Sequence, residues 1–380
     1  DGFRVDVAHG LVKQDGMPDW DGPLHLIDSG VPDADGAAHV HETGTGRRPP
    51  MWDQDGVHDI YRDWHAVIRE FTGVPSGVAG GAGDDDRILC AEAWVQPLER
   101  LADYVRPDEM HQAFNFEFLD THWFAEPLRA VIESSIRAND SVDAPTTWVL
   151  SNHDVVRHVS RLGLDQHAAR PNGIGADDPQ PDLELGTRRA RAATAMMLGL
   201  PGGAYLYQGE ELGLPEHTSM PDDYRQDPTF HRTKGTPQAT LGRDGCRVPM
   251  PWVRDAPSFG FGPSERTWLP QPEDYGTYAV DQQDGIPGSS LTLYREMLAY
   301  RRRHRFGHGS LAWHDLCGPE VIAYVNGSGD GERDLLVVTN LGQTPVTLPA
   351  DADVLFASGP LTAEGAVPAD TAVWARIPTA

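Results

Sequence analysis

Three short segments of this chain each carry a carboxylic acid where an apolar run stops: Asp1-Gly-Phe-Arg-Val-Asp-Val-Ala-His9, Ile88-Leu-Cys-Ala-Glu-Ala-Trp94 and Leu150-Ser-Asn-His-Asp154. The β-branched and apolar residues leading up to each acid predict a strand, and the loop composition that follows predicts its end. Asp6, Glu92 and Asp154 therefore stand at the ends of three predicted strands. Side chains alternate along a strand, so Arg4 shares a face with Asp6, Cys90 with Glu92 and Asn152 with Asp154. Carboxyl groups gathered this way can divide a displacement between them, an ionised one attacking while a protonated one gives its proton to the leaving oxygen. Cleavage of the acetal link between two sugars is the reaction that needs such a pair.

The elements that must position these acids alternate between strand and helix. Over residues 58–72, Ile60, Trp64, Val67, Ile68 and Phe71 recur at helical spacing, and Gly73 with Pro75 supplies a stop. A second helix is predicted over 187–200, with Thr187 as its cap and Pro201 beyond its end, and a third over 290–305, whose last turns hold Arg301, Arg302, Arg303 and Arg305 in favourable relation to the helix dipole. Alternation of this kind predicts a parallel sheet. Acids at several strand ends fit a (β/α)8 barrel, where catalytic groups converge at the C-terminal mouth. A doubly wound open sheet also alternates, but its Gly-rich phosphate turn after the first strand is missing.

With 380 residues the chain has room for one large domain and a smaller one. Its 40 glycines and 31 prolines gather in predicted loops over 73–83, 170–181 and 215–287, the kind that shape a pocket. The net charge of −26 argues against nucleic acid or an anionic membrane as partner and suits a small neutral substrate. Cys90, Cys246 and Cys317 are too few and too scattered for a disulfide framework or a zinc site, which favours a cytoplasmic compartment. No run reads as a signal peptide or membrane span.

With these segments in view, the chain resembles glycoside hydrolase family 13, the alpha-amylase family, and within it the bacterial α-glucosidases and oligo-1,6-glucosidases. Gly2-Phe-Arg-Val-Asp6 resembles the family's nucleophile strand, Cys90-Ala-Glu92-Ala-Trp94 its acid strand and Ser151-Asn-His-Asp154 its third-carboxylate strand. Tyr207-Gln-Gly-Glu-Glu-Leu-Gly213 and Arg243-Asp-Gly-Cys-Arg-Val-Pro-Met-Pro-Trp252 match the α-glucosidase branch. The resemblance implies Asp6 as nucleophile, Glu92 as general acid/base and Asp154 as transition-state stabiliser. It further implies that Arg4 keeps Asp6 ionised, and that His153 and Arg247 bind the sugar. A sparsely solvated setting beside Trp94, with the Asp6 charge nearby, would keep Glu92 protonated. The implied activity is that of a retaining, exo-acting α-glucosidase on short oligosaccharides, without metal or other cofactor. Val7, following the nucleophile, implies a lean toward α-1,6 links, with isomaltose, maltose, sucrose and trehalose all open. Two other readings are a glucosyl-transferring isomerase such as a trehalose synthase, and a truncated, non-catalytic relative, although such relatives usually lose one of the acids.

Measured against the family, the chain holds only strands four to eight of the barrel, over 2–7, 87–92, 113–118, 146–152 and 203–207, within a catalytic part at 1–309. Five strands cannot close an eight-stranded barrel. Residues 310–380 read as an all-β sandwich, with strands at 321–325, 335–339, 346–348, 354–356 and 372–374 and a turn signal at Asn326-Gly327. Between Trp52 and Asp59, Asp53, Asp55 and Asp59 are spaced like calcium ligands, but the glycine falls at position four and Trp64 stands where the loop needs a glutamate, so helix N-capping is the better account. Asp84-Asp-Asp86 reads as a solvated turn, and Glu210 with Glu211 reads equally as near the mouth or as part of a structural network.

Overall fold

Two of the acid-bearing segments pair side by side in a parallel sheet. The computed structural model describes residues 2–21, 48–71, 87–327 and 334–378; the helix stop at Gly73 and Pro75 and the triplet at 84–86 lie outside these residues. The described residues form two compact units, one from those at 2–21, 48–71, 87–120 and 129–148, the other from 121–128 together with those from 149 onward.

In the first unit, strands β1 (Gly2–Val5), β2 (Ile88–Ala91) and β3 (Gln112–Ala113) form a parallel sheet in that order, with Arg4 opposite Cys90 and Val5 opposite Ala91. Helices α1 (Val57–Arg69) and α2 (Leu98–Asp103) bury Val57, Tyr61 and Leu101 in one core with Val5, Leu89 and Ala91. The strand predicted over 113–118 stops early. Asn115 accepts the backbone N–H of Phe118 at 3.0 Å through its side chain, an N-cap geometry that opens helix α3 (Phe116–Asp120) instead. Helix α4 (Ala125–Asp140) follows.

The N-capping role expected for the acids between 53 and 59 is not what they do. Gly56 precedes α1 and no side chain caps it. Asp53 is buried, accepting from Arg100 Nε at 2.5 Å and the Tyr104 hydroxyl at 2.8 Å, while Asp55 pairs with Arg48 and Asp59 with Arg62. Only part of the expected apolar stripe packs inward, Ile60 and Ile68 lying against the core. Tyr61 and His58 face inward, His58 Nδ1 lying 2.7 Å from the buried Glu109 carboxylate, and Trp64, Val67 and Phe71 remain exposed.

The second unit takes up the chain at Val149, the last residue of β4 (Thr147–Val149), and contains β5 (Gly203–Tyr205). Helices α5 (His158–Gly163) and α6 (Leu183–Gly199) come between them. Asp182, not Thr187, caps α6 by accepting the Leu185 N–H, and Thr187 sits one turn inside, donating to the Leu183 carbonyl. The long 215–287 stretch includes helices α7 (Pro228–Thr233) and α8 (Val280–Gln283) and folds on a small core of its own, Leu214, Met220, Val248, Leu269 and Tyr275. Helix α9 (Ser290–Arg303) is capped by Ser289. Its Arg301 is buried and does more than oppose a dipole: Nη1 donates to the Leu198 and Leu200 carbonyls and Nη2 to that of Gly202, satisfying the C-terminal end of α6.

Strands β6 (Ser310–Trp313), β7 (Val321–Gly327), β8 (Asp334–Asn340), β9 (Asp353–Ala357) and β10 (Thr371–Ile377) form one antiparallel sheet in the order β6-β7-β8-β10-β9. Among the described residues this single sheet replaces the expected two-sheet sandwich. One face packs on α6, whose Ala195 and Met196 carbonyls accept from Trp374 Nε1 and the Tyr324 hydroxyl. The other covers a core of Leu336, Val338, Val367 and Val373. The strand predicted at 346–348 is a single bridge between Val346 and Val367. Asn326 and Gly327 lie within β7, where the buried Asn326 amide donates to Gly199 and Phe306 carbonyls, so the pair is not a turn. No helix among the described residues is long and apolar enough to cross a membrane.

Candidate active site

The sheet register of the first unit brings Arg4, Asp6 and Glu92 together. Beyond the last paired residues the parallel ladder continues through Glu92 N–H to the Val5 carbonyl at 2.9 Å and Ala8 N–H to the Glu92 carbonyl at 2.8 Å. Arg4 Nη1 lies 2.5 Å from Asp6 Oδ1 and Nη2 lies 3.9 Å from Glu92 Oε2, so one guanidinium touches both carboxyl groups. Asp6 is largely exposed, its side chain retaining 71% of its accessible surface, whereas Glu92 is buried.

Val7 turns the chain between them. Its φ of 45° is left-handed, a conformation costly for a β-branched residue. The turn directs the Val7 N–H at Glu92 Oε2, 2.7 Å away. Trp94 stacks on Phe116 with ring centres 4.1 Å apart just past the same strand end. His9, in the next turn, is buried against Trp52, and burial pushes its pKa down to about 4 despite the nearby Asp53.

Asp154, His153 and Arg247 lie in the second unit and meet there. Strand β4 ends at Val149, so a turn rather than strand alternation places the acid: Asn152 Oδ1 accepts the Asp154 N–H at 2.8 Å. Arg247 Nη2 donates to Asp154 Oδ1 at 2.9 Å and its Nε to the His153 carbonyl at 2.7 Å. His153 Nε2 stands 3.3 Å from Asp154 Oδ2.

Sequence reasoning missed Arg243, whose Nη1 donates to the same Asp154 oxygen at 2.6 Å. Its signal was its position four residues before Arg247 in a segment already singled out. Asp227 was missed too. Burial pushes the Asp227 carboxyl up, but hydrogen bonds from the Arg243 side chain and from the backbone N–H groups of Thr229 and Arg243 outweigh it and hold the group well below the usual carboxylate range. Asp227 in turn raises the pKa of Arg243. Glu210 belongs to a structural network: it is buried, accepts the Tyr207 N–H and is approached by the Tyr294 hydroxyl.

Carboxyl groups set past the ends of strands, parallel where they pair in the first unit, with an antiparallel β-domain after them, define an α/β protein with candidate acids beyond its strands. The chain belongs to the alpha-amylase family: the family description Alpha amylase, catalytic domain, matches residues 1–308, and a domain of unknown function (DUF3459) matches residues 318–374. The fold is the family's TIM-barrel type with a C-terminal antiparallel β-domain. The chain is 32% identical over 248 residues to a probable alpha-glucosidase of Rhizobium meliloti, covering 64% of this chain and 38% of that protein. It is 30% identical over 334 residues to the trehalose synthase/amylase TreS of Mycobacterium tuberculosis, covering 80% of this chain and 51% of that one. Among solved structures, the alpha-glucosyl transfer enzyme XgtA superposes with a TM-score of 0.71 at 25% identity, covering 99% of this chain and 64% of that one. The chain thus spans about half the length or less of these two relatives and under two thirds of that structure.

Proposed function

We propose that the chain is the back part, strands four to eight, of the barrel of a retaining, exo-acting α-glucosidase acting on short neutral oligosaccharides. Residues 1–309 would form that part and 310–380 the β-domain. The matches at 1–308 and 318–374 and the partial coverage of longer relatives support this division. The observation that carries the reading is the Arg4, Asp6 and Glu92 cluster at adjacent strand ends. Arg4 holds the proposed nucleophile Asp6 in an ion pair at 2.5 Å. Glu92 Oε2 accepts the Val7 N–H, so the acid's proton belongs on Oε1.

Asp6 attacks the anomeric carbon while Glu92 gives its proton to the leaving oxygen, forming a glucosyl ester on Asp6. Glu92 then takes a proton from water, which attacks the same carbon and frees Asp6. Asp154 stabilises the oxocarbenium-like transition state and accepts sugar hydroxyls, with His153 and Arg247 binding beside it. No cofactor enters these steps. A cytoplasmic location is part of the proposal, supported by cysteines too few and too scattered in the sequence for a disulfide framework.

A slow deoxyfluoro-glucosyl fluoride, incubated with the protein expressed together with its upstream coding sequence, tests the reading. A covalent label on the Asp6 peptide is expected; no label, or one elsewhere, refutes it. Initial rates should favour isomaltose over maltose, sucrose and trehalose, and a preference for maltose sinks the lean drawn from Val7. Similarity to TreS favours a second reading, transfer of the glucosyl group to a sugar. Isomerised disaccharide exceeding free glucose at high substrate would select it.

A further inference from the structure

We infer that Asp227 is a positioning residue for Asp154: through Arg243 it fixes Asp154 by Oδ1 and leaves Oδ2 as the oxygen that meets the sugar. The inference rests on the proposed role of Asp154. Asp227 has no exposed side-chain surface. Its Oδ2 accepts Arg243 Nε at 2.6 Å and the Arg243 backbone N–H at 2.8 Å, and its Oδ1 lies 3.3 Å from Arg243 Nη2. This two-point grip holds the planar guanidinium in one orientation and leaves Nη1 as the donor aimed at Asp154.

The grip is itself locked. Asp227 Oδ1 caps α7 by accepting the Thr229 N–H at 2.9 Å, and the buried Asp244 accepts the N–H groups of Gln226 and Asp227 through Oδ2, each at 2.9 Å. Segments 226–229 and 242–244 thereby hold each other through reciprocal carboxylate bonds. Gly242 permits the approach: its φ is +69°, and a Cβ there would lie 2.9 Å from the Asp227 Cβ and Cγ. Arg247 is anchored separately, on the His153 carbonyl. Both guanidinium groups converge on Oδ1, so Oδ2, faced by His153 Nε2, is the oxygen turned away from them.

A double-mutant cycle in the full-length protein tests this. Asp227→Asn keeps the side chain's shape but weakens the grip, and kcat/KM should fall roughly 10- to 100-fold, with the loss in kcat rather than KM. In an Asp154→Asn background the same change should cost less than about twofold, because the group being positioned has already lost its charge. Arg243→Lys, whose single ammonium cannot fill the Asp227 fork and reach Asp154 together, should reproduce the loss with an unchanged urea midpoint. An equal loss in both backgrounds, or full activity in Arg243→Lys, overturns the proposal. Hydrogen exchange at the Asp154 amide decides the matter even if the protein cleaves no glucoside. Exchange should speed up by about tenfold or more in both Asp227→Asn and Arg243→Lys; unchanged protection refutes the positioning, whereas faster exchange in an inactive protein refutes only the proposed function.

Discussion

Replacing Glu210 by glutamine should remove much of the pH dependence of stability in the second unit. Burial pushes the Glu210 carboxyl up to about 8 from an ordinary 4.5; the charge of Glu211 adds to the rise, and the Tyr207 N–H opposes it. The native pKa lies above the unfolded one, so the stabilising contribution is fully present below about 4.5 and is lost as pH rises toward 8. Across that window the unfolded chain releases a proton the native state keeps, at about 1.4 kcal/mol per pH unit. Between pH 5.5 and 7.5 the loss is roughly 2 to 3 kcal/mol. Glu216, also buried and raised to about 7, adds to the same limb. Glutamine has the shape of the protonated acid and stays neutral, its carbonyl able to accept the Tyr207 N–H as Oε2 does now at 3.1 Å. Urea titrations at pH 5.5, 6.5 and 7.5 should show the variant already ahead by about 1.4 kcal/mol at the lowest pH and increasingly the more stable as pH rises. A gap that stays constant with pH would refute the reasoning, because a lost hydrogen bond costs the same at every pH.

Glu92→Gln should keep its fold, since the amide oxygen can still accept the Val7 N–H. It should lose about 10²- to 10⁴-fold in kcat/KM on a disaccharide but far less on an activated aryl glucoside, whose leaving group needs no proton; equal losses on both would contradict the acid role. Arg301→Ala strips donors from three main-chain carbonyls and should destabilise by about 3 to 5 kcal/mol, read as a lower urea midpoint, with Arg301→Lys falling between the two.

What the sequence made legible was local. The parallel pairing of β1 with β2 and the placing of acids just past strand ends follow from short apolar runs ending in loop composition, a signal carried by adjacent residues. Errors arose where a polar side chain captured the backbone or a distant partner captured the side chain. Asn115 looked like part of a strand until its side chain took the Phe118 N–H and began a helix. Asn326-Gly327 carries turn residues, yet Asn326 is buried because its amide reaches main-chain carbonyls 127 and 20 residues away. Asp53 and its neighbours resembled caps but are ion-pair partners of arginines.

The same distinction separates the two clusters of candidate residues. Arg4, Asp6 and Val7 are neighbours in one segment, and strand alternation alone predicts that the arginine and the acid share a face. Asp154 depends on partners 89 and 93 residues away, and the buried Asp227 that steadies one of them is a further 16 residues from it in sequence. A carboxylate of that kind carries no chemistry-bearing motif of its own, and its sequence neighbourhood, Gln226-Asp227-Pro228, reads only as a helix start. Its second use appears once the fold brings residue 243 within reach, because a buried aspartate that caps a short helix with one oxygen still has another oxygen to satisfy. Placing the arginine on that oxygen meets the requirement of a buried charge and, with the same guanidinium, supplies a fixed donor to the acid at the strand end.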